Sequence, residues 1–321
     1  MMNDLPFSLE GRKVWVAGHT GMVGAAIMGR LAAENCNILT VPHRDLDLRR
    51  QAEVESWMAA AKPDAIFLAA ATVGGILAND TRPAEFIYDN LIFEANIIHA
   101  AWTNQVNKLL FLGSSCIYPR LAPQPMVEAA LLGGPLEPTN QWYAMAKISG
   151  IKLCQAFRRQ YGCDFISAQP TNLYGPHDTY DLQGSHVIPA MIMKVHAAKE
   201  SSSESVEIWG TGKPKREFLY VDDLADALIF MMKNTSEESH INVGTGVDVT
   251  IAELAETIAR VVGFEGRFDY NTDKPDGAPR KLLDVGLLEG LGWTAQTGLE
   301  EGLGKAYQWY LDNVAQGGKT A

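Results

Sequence analysis

Positive charge is in short supply in this 321-residue chain: 27 lysines and arginines face 38 aspartates and glutamates, a formal net charge of −11. That balance argues against broad nucleic-acid binding, which needs a basic face, and leaves room for a local cationic pocket. Cysteine is scarce as well. Cys36, Cys116, Cys154 and Cys163 form no CxxC pair and no His/Cys cluster at zinc spacing, so free thiols and no metal site are expected. No apolar run approaches the ~20 residues that span a bilayer. The opening MMNDLPFSLEGRK has no charged start running into an apolar core, so neither a signal peptide nor a membrane partner is expected. Together these absences point to the cytoplasm. Internal repeats and long low-complexity stretches are missing too.

Strand and helix patterns alternate through the first half. Strands are expected at 13–18, 38–41, 64–71, 108–113 and 164–170, with helices at 22–34, 51–61, 84–104 and 144–161 between them. Alternation of this kind builds parallel βαβ units and a doubly wound sheet. Beyond Tyr174 the rhythm breaks into turn-rich and serine-rich stretches, and REFLYVDDLADALIFMM then restores a strand followed by a helix. The expected class is α/β: a Rossmann-type doubly wound parallel sheet with a smaller C-terminal α/β substrate-binding lobe. The expected division is 1–173, with a return near 217–245, for the first unit, and 174–216 plus 246–321 for the lobe.

VAGHTGMVG places Gly18, Gly21 and Gly24 between the first strand and the first helix. Glycines there permit a tight turn, close approach of the backbone to a pyrophosphate, and close helix packing. The helix N-terminus adds free N–H groups and partial positive charge. The second strand runs into LTVPHRDLDL, where Arg44 can meet the 2′-phosphate of NADP, and Asp47 can serve the adenine edge. NADP(H) is therefore the expected cofactor.

NQWYAMAKISG carries Tyr143 and Lys147 at i and i+4, on one face of a helix. A tyrosine hydroxyl has an ordinary pKa of about 10, and a nearby ammonium is expected to bring it down toward the working range. Ser114 lies 29 residues earlier at the end of an apolar strand, KLLFLGSSCIYPR, and can hold a substrate carbonyl oxygen. Cys116, two residues on, reads in isolation as a small buried hydrophobe.

These residues are similar to the extended short-chain dehydrogenase/reductase family. Longer strings carry the resemblance over nearly the whole chain: GHTGMVG, VGGILAN, FLGSSCIYP, EPTNQWYAMAKISGIKLC, PTNLYGPHD, SHVIPA, REFLYVDDLA and KPDGAPRKLLD. Within the family they resemble its GDP-sugar epimerase-reductases. The resemblance implies NADPH-dependent conversion of GDP-4-keto-6-deoxy-D-mannose to GDP-L-fucose, by 3,5-epimerisation followed by 4-keto reduction. The catalytic set it implies is Ser114, Cys116, Tyr143, Lys147 and His186. Protons at C3 and C5 are acidic because both carbons flank the C4 ketone, and a thiol and an imidazole can each exchange them near neutral pH.

The cofactor contacts it implies are Gly18, His19, Thr20, Gly21, Met22, Val23, Gly24, Arg44, Asp47, Leu48, Leu112 and Gly113, with Tyr143, Lys147, Pro170, Thr171, Asn172, Leu173 and His186 at the nicotinamide end. The loop often reads GHRGMVG in this family; Thr20 replaces its arginine here and leaves the 2′-phosphate to Arg44. Lys194, Trp209, Arg216, Asp276 and Lys281 are the implied contacts for the GDP-sugar, and a homodimer is the implied assembly through helices 84–104 and 144–161.

Two rival activities on the same fold read less well. A 4,6-dehydratase is expected to carry acidic residues after the strand-end serine, where this chain has Ser115 and Cys116, and a 4-epimerase needs no such thiol. A non-catalytic cofactor sensor needs only the glycine loop, not Ser114, Tyr143 and Lys147 together.

Overall fold

In the computed structural model, which describes residues 6–181, 184–274 and 276–315, strands and helices alternate as the sequence pattern predicts. Residues 1–5, at the head of the stretch expected to carry no signal peptide, and 316–321, at the end of the expected lobe, lie outside the described residues. The first half runs β1 (Lys13–Ala17), α1 (Met22–Leu31), β2 (Asn37–Leu39), α2 (Gln51–Ala61), β3 (Ala65–Leu68), α3 (Ile76–Thr81), α4 (Pro83–Thr103), β4 (Lys108–Leu112), α5 (Gln141–Tyr161) and β5 (Asp164–Pro170). The second half adds β6 (Asn172–Tyr174), α6 (Val187–Glu200), β7 (Ser205–Trp209), β8 (Lys215–Tyr220), α7 (Val221–Asn234), β9 (Ile241–Val243) and β10 (Asp248–Thr250). It closes with α8 (Ile251–Val262), β11 (Arg267–Asn271), β12 (Arg280–Lys281), α9 (Gly286–Gly290) and α10 (Leu299–Tyr310).

Six parallel strands form the main sheet in the order β2-β1-β3-β4-β5-β9. β3 and β4 are buried at every position, because helices cover both faces of a parallel sheet. Trp15, Ile66, Ile97, Phe111 and Ile151 pack on one face, and Val14, Phe67, Leu110, Leu224 and Leu228 on the other. All these strands point the same way, so the loops after β1, β3, β4 and β5 gather at one sheet edge, where ligands of such folds bind. Among the described residues no helix is long and apolar enough to cross a membrane.

β2 stops at Leu39 rather than reaching residue 41, because it is an edge strand that pairs with β1 alone over three residues. α5 begins at Gln141, three residues before its expected start, which puts Tyr143 in the first helical turn.

The second unit is built on β8, which pairs with β6, β10 and β12, while β7 and β11 form a separate parallel pair. α6, α8 and α10 close it through Ile192, Val195, Leu254, Ile258, Leu303 and Tyr307. The return expected at 217–245 divides at Tyr220. β8 stays in the second unit because its register is with β6 and β12, whereas α7 and β9 join the first sheet. Leu283, Leu288 and Trp293, expected in the lobe, also pack on the first sheet's cores.

α4 and α5 pack closely side by side, and Gly150 sets that closeness. A Cβ there would come 2.3 Å from Phe111 Cζ and 2.7 Å from Glu94 Oε2. We predict that Gly150→Ala destabilises the fold by about 1–3 kcal/mol through overpacking. Thermal or urea unfolding checks this, and an unchanged midpoint would contradict it.

Candidate active site

The loop after β1 is shaped by close approach. Gly18 has φ +89°, and a Cβ on it would meet the Ala70 backbone at 2.7 Å. A Cβ on Gly24 would reach the Gly18 carbonyl oxygen at 2.0 Å, so α1 can start here only with glycine at both positions. Gly21 is the N-cap and offers no side chain, which leaves the first-turn N–H groups of Met22 and Val23 facing outward for an anion. His19 is half-buried and Thr20 exposed. This cradle fits a dinucleotide pyrophosphate.

Arg44 is open to solvent, its side chain 84% exposed, and its nearest acid is Asp45 at 3.7 Å. Asp47 is committed elsewhere. Its two oxygens accept from Arg49 at 2.9 and 3.0 Å, and those bonds hold its carboxyl down to about 2. The Leu48 carbonyl accepts from Asn96 at 2.8 Å, fixing the turn after β2 against α4.

Leu112 ends β4, and Gly113 follows it. The Ser114 backbone N–H donates to Gln169 Oε1 on β5 at 2.8 Å, which sets the angle at which the chain leaves the sheet. Ser115–Ile117 then forms one tight helical turn that buries Cys116, at 6% exposure, beside Ser114. Burial pushes the Cys116 thiol up; a hydrogen bond with the Ser114 side chain and the charges of Lys281 and Lys147 pull it back.

Tyr143 packs edge-on against Phe86 at 6.3 Å between ring centroids. Lys147, 2% exposed, places Nζ 5.7 Å from the Tyr143 ring centroid and 4.9 Å from that of Phe111. Its direct partner is Glu94 Oε1 on α4, at 3.1 Å. The expected lowering of the Tyr143 pKa is not what the surroundings produce. Burial pushes it well above its ordinary value, and Cys116 and Glu94 push in the same direction. The ammonium that was to lower it is shared with a buried carboxylate.

His186 caps the N-terminus of α6 on a loop held to the main sheet by the Gly75 N–H, which donates to the Gly184 carbonyl at 2.9 Å. That contact joins the loop before α6 to the segment between β3 and α3. His186 is an exposed residue, yet the protein around its imidazole lowers the pKa by desolvation. Among the described residues no hydrogen bond joins His186 to Cys116.

Pro170, Thr171, Asn172 and Leu173 carry the chain from the main sheet into the second unit. Thr171 Oγ1 and Asn172 Nδ2 both donate to the Glu217 carbonyl, at 3.3 and 2.8 Å. On the second unit Trp209 is 62% exposed, and Lys194 and Lys274 hold Nζ 5.4 and 5.3 Å from its ring centroid. Arg216 and Lys281 are register partners on β8 and β12, and burial lowers the pKa of each. Asp276 accepts from the Thr211 N–H at 2.9 Å and its hydroxyl at 2.7 Å, which ties the 276–281 segment to the turn after β7.

Ser114, Cys116, Tyr143, Lys147 and Lys281 thus share one electrostatic neighbourhood, and Arg216 adjoins it through Lys281. Three residues in or beside this site escape the sequence reading: Glu94, Gln169 and Lys274. The first was detectable in principle, since Glu94 falls in phase with Phe86, Asn90, Ile97 and Ala101, the buried stripe of α4.

Residues 14–244 match the model of the NAD dependent epimerase/dehydratase family. The chain is 57% identical to a GDP-L-fucose synthase of Sinorhizobium fredii, over 96% of this chain and 98% of that one. It is 54% identical to the GDP-L-fucose synthase of Escherichia coli, over 95% and 98%. A solved GDP-L-fucose synthetase from Naegleria fowleri, bound to NADP, superposes with a TM-score of 0.90 at 27% identity, covering 99% of both chains. With its glycine cradle at the end of β1 and Ser114, Tyr143 and Lys147 grouped beyond β4, the chain belongs to the NAD dependent epimerase/dehydratase family.

Proposed function

We propose that this protein converts GDP-4-keto-6-deoxy-D-mannose to GDP-L-fucose with NADPH, first inverting C3 and C5 and then reducing the C4 ketone. The observation that carries this reading is the burial of Cys116 on the turn beside Ser114, with Lys147 Nζ 5.7 Å from the Tyr143 ring and both within reach of the thiol's charge. It gives the site a proton-exchanging thiol in addition to a reduction centre. When bound, NADPH supplies the hydride for C4.

The residues that would hold the cofactor are the Gly18–Gly24 cradle at the pyrophosphate and Arg44 at the 2′-phosphate. Leu112, Gly113 and the 170–173 segment would line the nicotinamide end. Ser114 donates to the ketone oxygen and fixes the carbonyl in place. Tyr143 delivers its proton to that oxygen as the alcohol forms. Its raised pKa keeps it protonated, so reduction proceeds at neutral pH and falls as the pH rises through that pKa. Cys116 and His186 exchange the C3 and C5 protons, each from its own side of the sugar. Lys147 and Lys281 limit the cost of forming negative charge on sulfur.

The first sheet and its helices serve the cofactor, and the second unit serves the GDP-sugar. There, Arg216 and Lys281 face the diphosphate, Trp209 with Lys194 offers a stacking surface, and Asp276 holds the 276–281 segment that frames it. We place the protein in the cytoplasm, where its nucleotide-sugar substrate and reduced cofactor are both found. Incubation with NADPH and authenticated substrate, followed by cofactor absorbance and product stereochemistry, tests the assignment. Absence of NADPH oxidation would overturn it.

The outer face of α4 and α5 exposes Tyr88, Trp142, Met145 and Tyr161, and Trp102 stacks on Tyr161 at 4.3 Å. An aromatic surface of this kind on two neighbouring helices suits a second copy of the chain. We predict a homodimer at micromolar concentration by light scattering; a monomer there would count against it.

A further inference from the structure

Glu94 has no solvent exposure and lies midway along α4, facing the helix that carries Tyr143 and Lys147. A buried carboxylate is costly unless another group answers its charge. Among the described residues no hydroxyl or amide donates to either Glu94 oxygen. What answers it is the Lys147 ammonium at 3.1 Å, in a space kept open by Gly150. Lys147 therefore stands between two groups, the Glu94 carboxylate and the Tyr143 ring.

The other ionisable groups around the pair are few. Cys154, also on α5, feels the Glu94 charge, and Cys116, beyond β4, acts on Tyr143. On the opposite side of α4, Glu55 of α2 is occupied at the surface with His99, at 3.7 Å.

We propose that Glu94 is a positioning residue for the reduction: its carboxylate holds the Lys147 side chain beside Tyr143 and keeps the Tyr143 hydroxyl protonated at the pH where it works. This rests on the reading that Tyr143 and Lys147 serve ketone reduction. The physical reason is that a nearby anion makes loss of a proton from Tyr143 less favourable. The sign follows from the Glu94 titration itself. Burial raises its carboxyl to about 7, with Lys147 pulling the other way, so the negative charge is present on the alkaline side, where Tyr143 loses its proton.

The test is the pH profile of kcat for NADPH oxidation by wild type, Glu94→Gln and Glu94→Asp. In Glu94→Gln the alkaline limb is expected to fall by about one pH unit or more, the size of a charge–charge interaction in a partly shielded interior. Glu94→Asp, which keeps the charge but withdraws it, is expected to move the limb part of the way, with the KM for the GDP-sugar little changed. A carboxylate that only fills space would change melting temperature and leave the limb in place. An unmoved limb in folded Glu94→Gln overturns the proposal; if that variant does not fold, an unmoved limb in Glu94→Asp does so.

Failure of the functional reading is seen separately, as a wild type that oxidises no NADPH with authentic substrate. In that event ultraviolet difference titration decides Glu94 without turnover. Tyr143 ionisation is read against a Tyr143→Phe background, with and without Glu94→Gln, in the NADP-bound protein. A lower Tyr143 midpoint in Glu94→Gln supports the proposal, and an unchanged one overturns it.

Discussion

Cys116→Ser is expected to lose inversion at C3 and C5 by about 10²–10⁴-fold, the usual contribution of a positioned acid–base group, while ketone reduction survives. Serine occupies nearly the same volume, and the site is a buried turn already hydrogen-bonded to Ser114, so the fold is preserved. What changes is acidity. A thiol held up by burial can still reach the thiolate with Lys281 and Lys147 pulling it down, whereas a serine hydroxyl cannot ionise usefully in any working range. The product should retain unepimerised stereochemistry at C3 and C5, with NADPH still consumed. Solvent deuterium uptake at those carbons, read by mass spectrometry, checks the loss directly. GDP-L-fucose formed at the wild-type rate would remove Cys116 from the mechanism.

Tyr143→Phe should give the opposite separation. Reduction is expected to fall by about 10²–10⁴-fold, while deuterium exchange at C3 and C5 continues. The ring keeps its edge-on contact with Phe86, so only the hydroxyl is removed. Without it the developing alkoxide at C4 has Ser114 as its remaining donor and no proton source. NADPH oxidation near the wild-type rate would contradict the assignment, and loss of deuterium exchange would show that the two chemistries are not separable at this pocket. Taken together, the two variants ask whether one ketone is served by two independent sets of groups.

The physics behind both predictions differs in how far it could be read from the chain. The alternating strands and helices, the glycine cradle and the Tyr143–Lys147 pair are local patterns, and contiguous residues carry them. Burial of β3 and β4 on both faces follows from AIFL and KLLFL having no polar alternation. The register of β8 does not follow from REFLYVDDLADALIFMM. That stretch reads as one strand–helix unit, yet α7 packs on the first sheet while β6 and β12 claim β8 for the second unit. Asp47 likewise carries a plausible adenine role in the sequence, and only the placed side chain of Arg49 shows where its charge is spent.

By itself the sequence determined the α/β class, the cofactor cradle and the residues that meet at the end of β4. Each of those depends on spacing along the chain, which backbone periodicity converts directly into position. The tertiary structure alone decided the electrostatics of the site. Tyr143 is raised rather than lowered, because desolvation and the fields of Cys116 and Glu94 outweigh a lysine whose charge is already answered. Burial and fields sum over groups brought together from α4, α5, β12 and the turn after β4, and that sum exists only once the chain has folded.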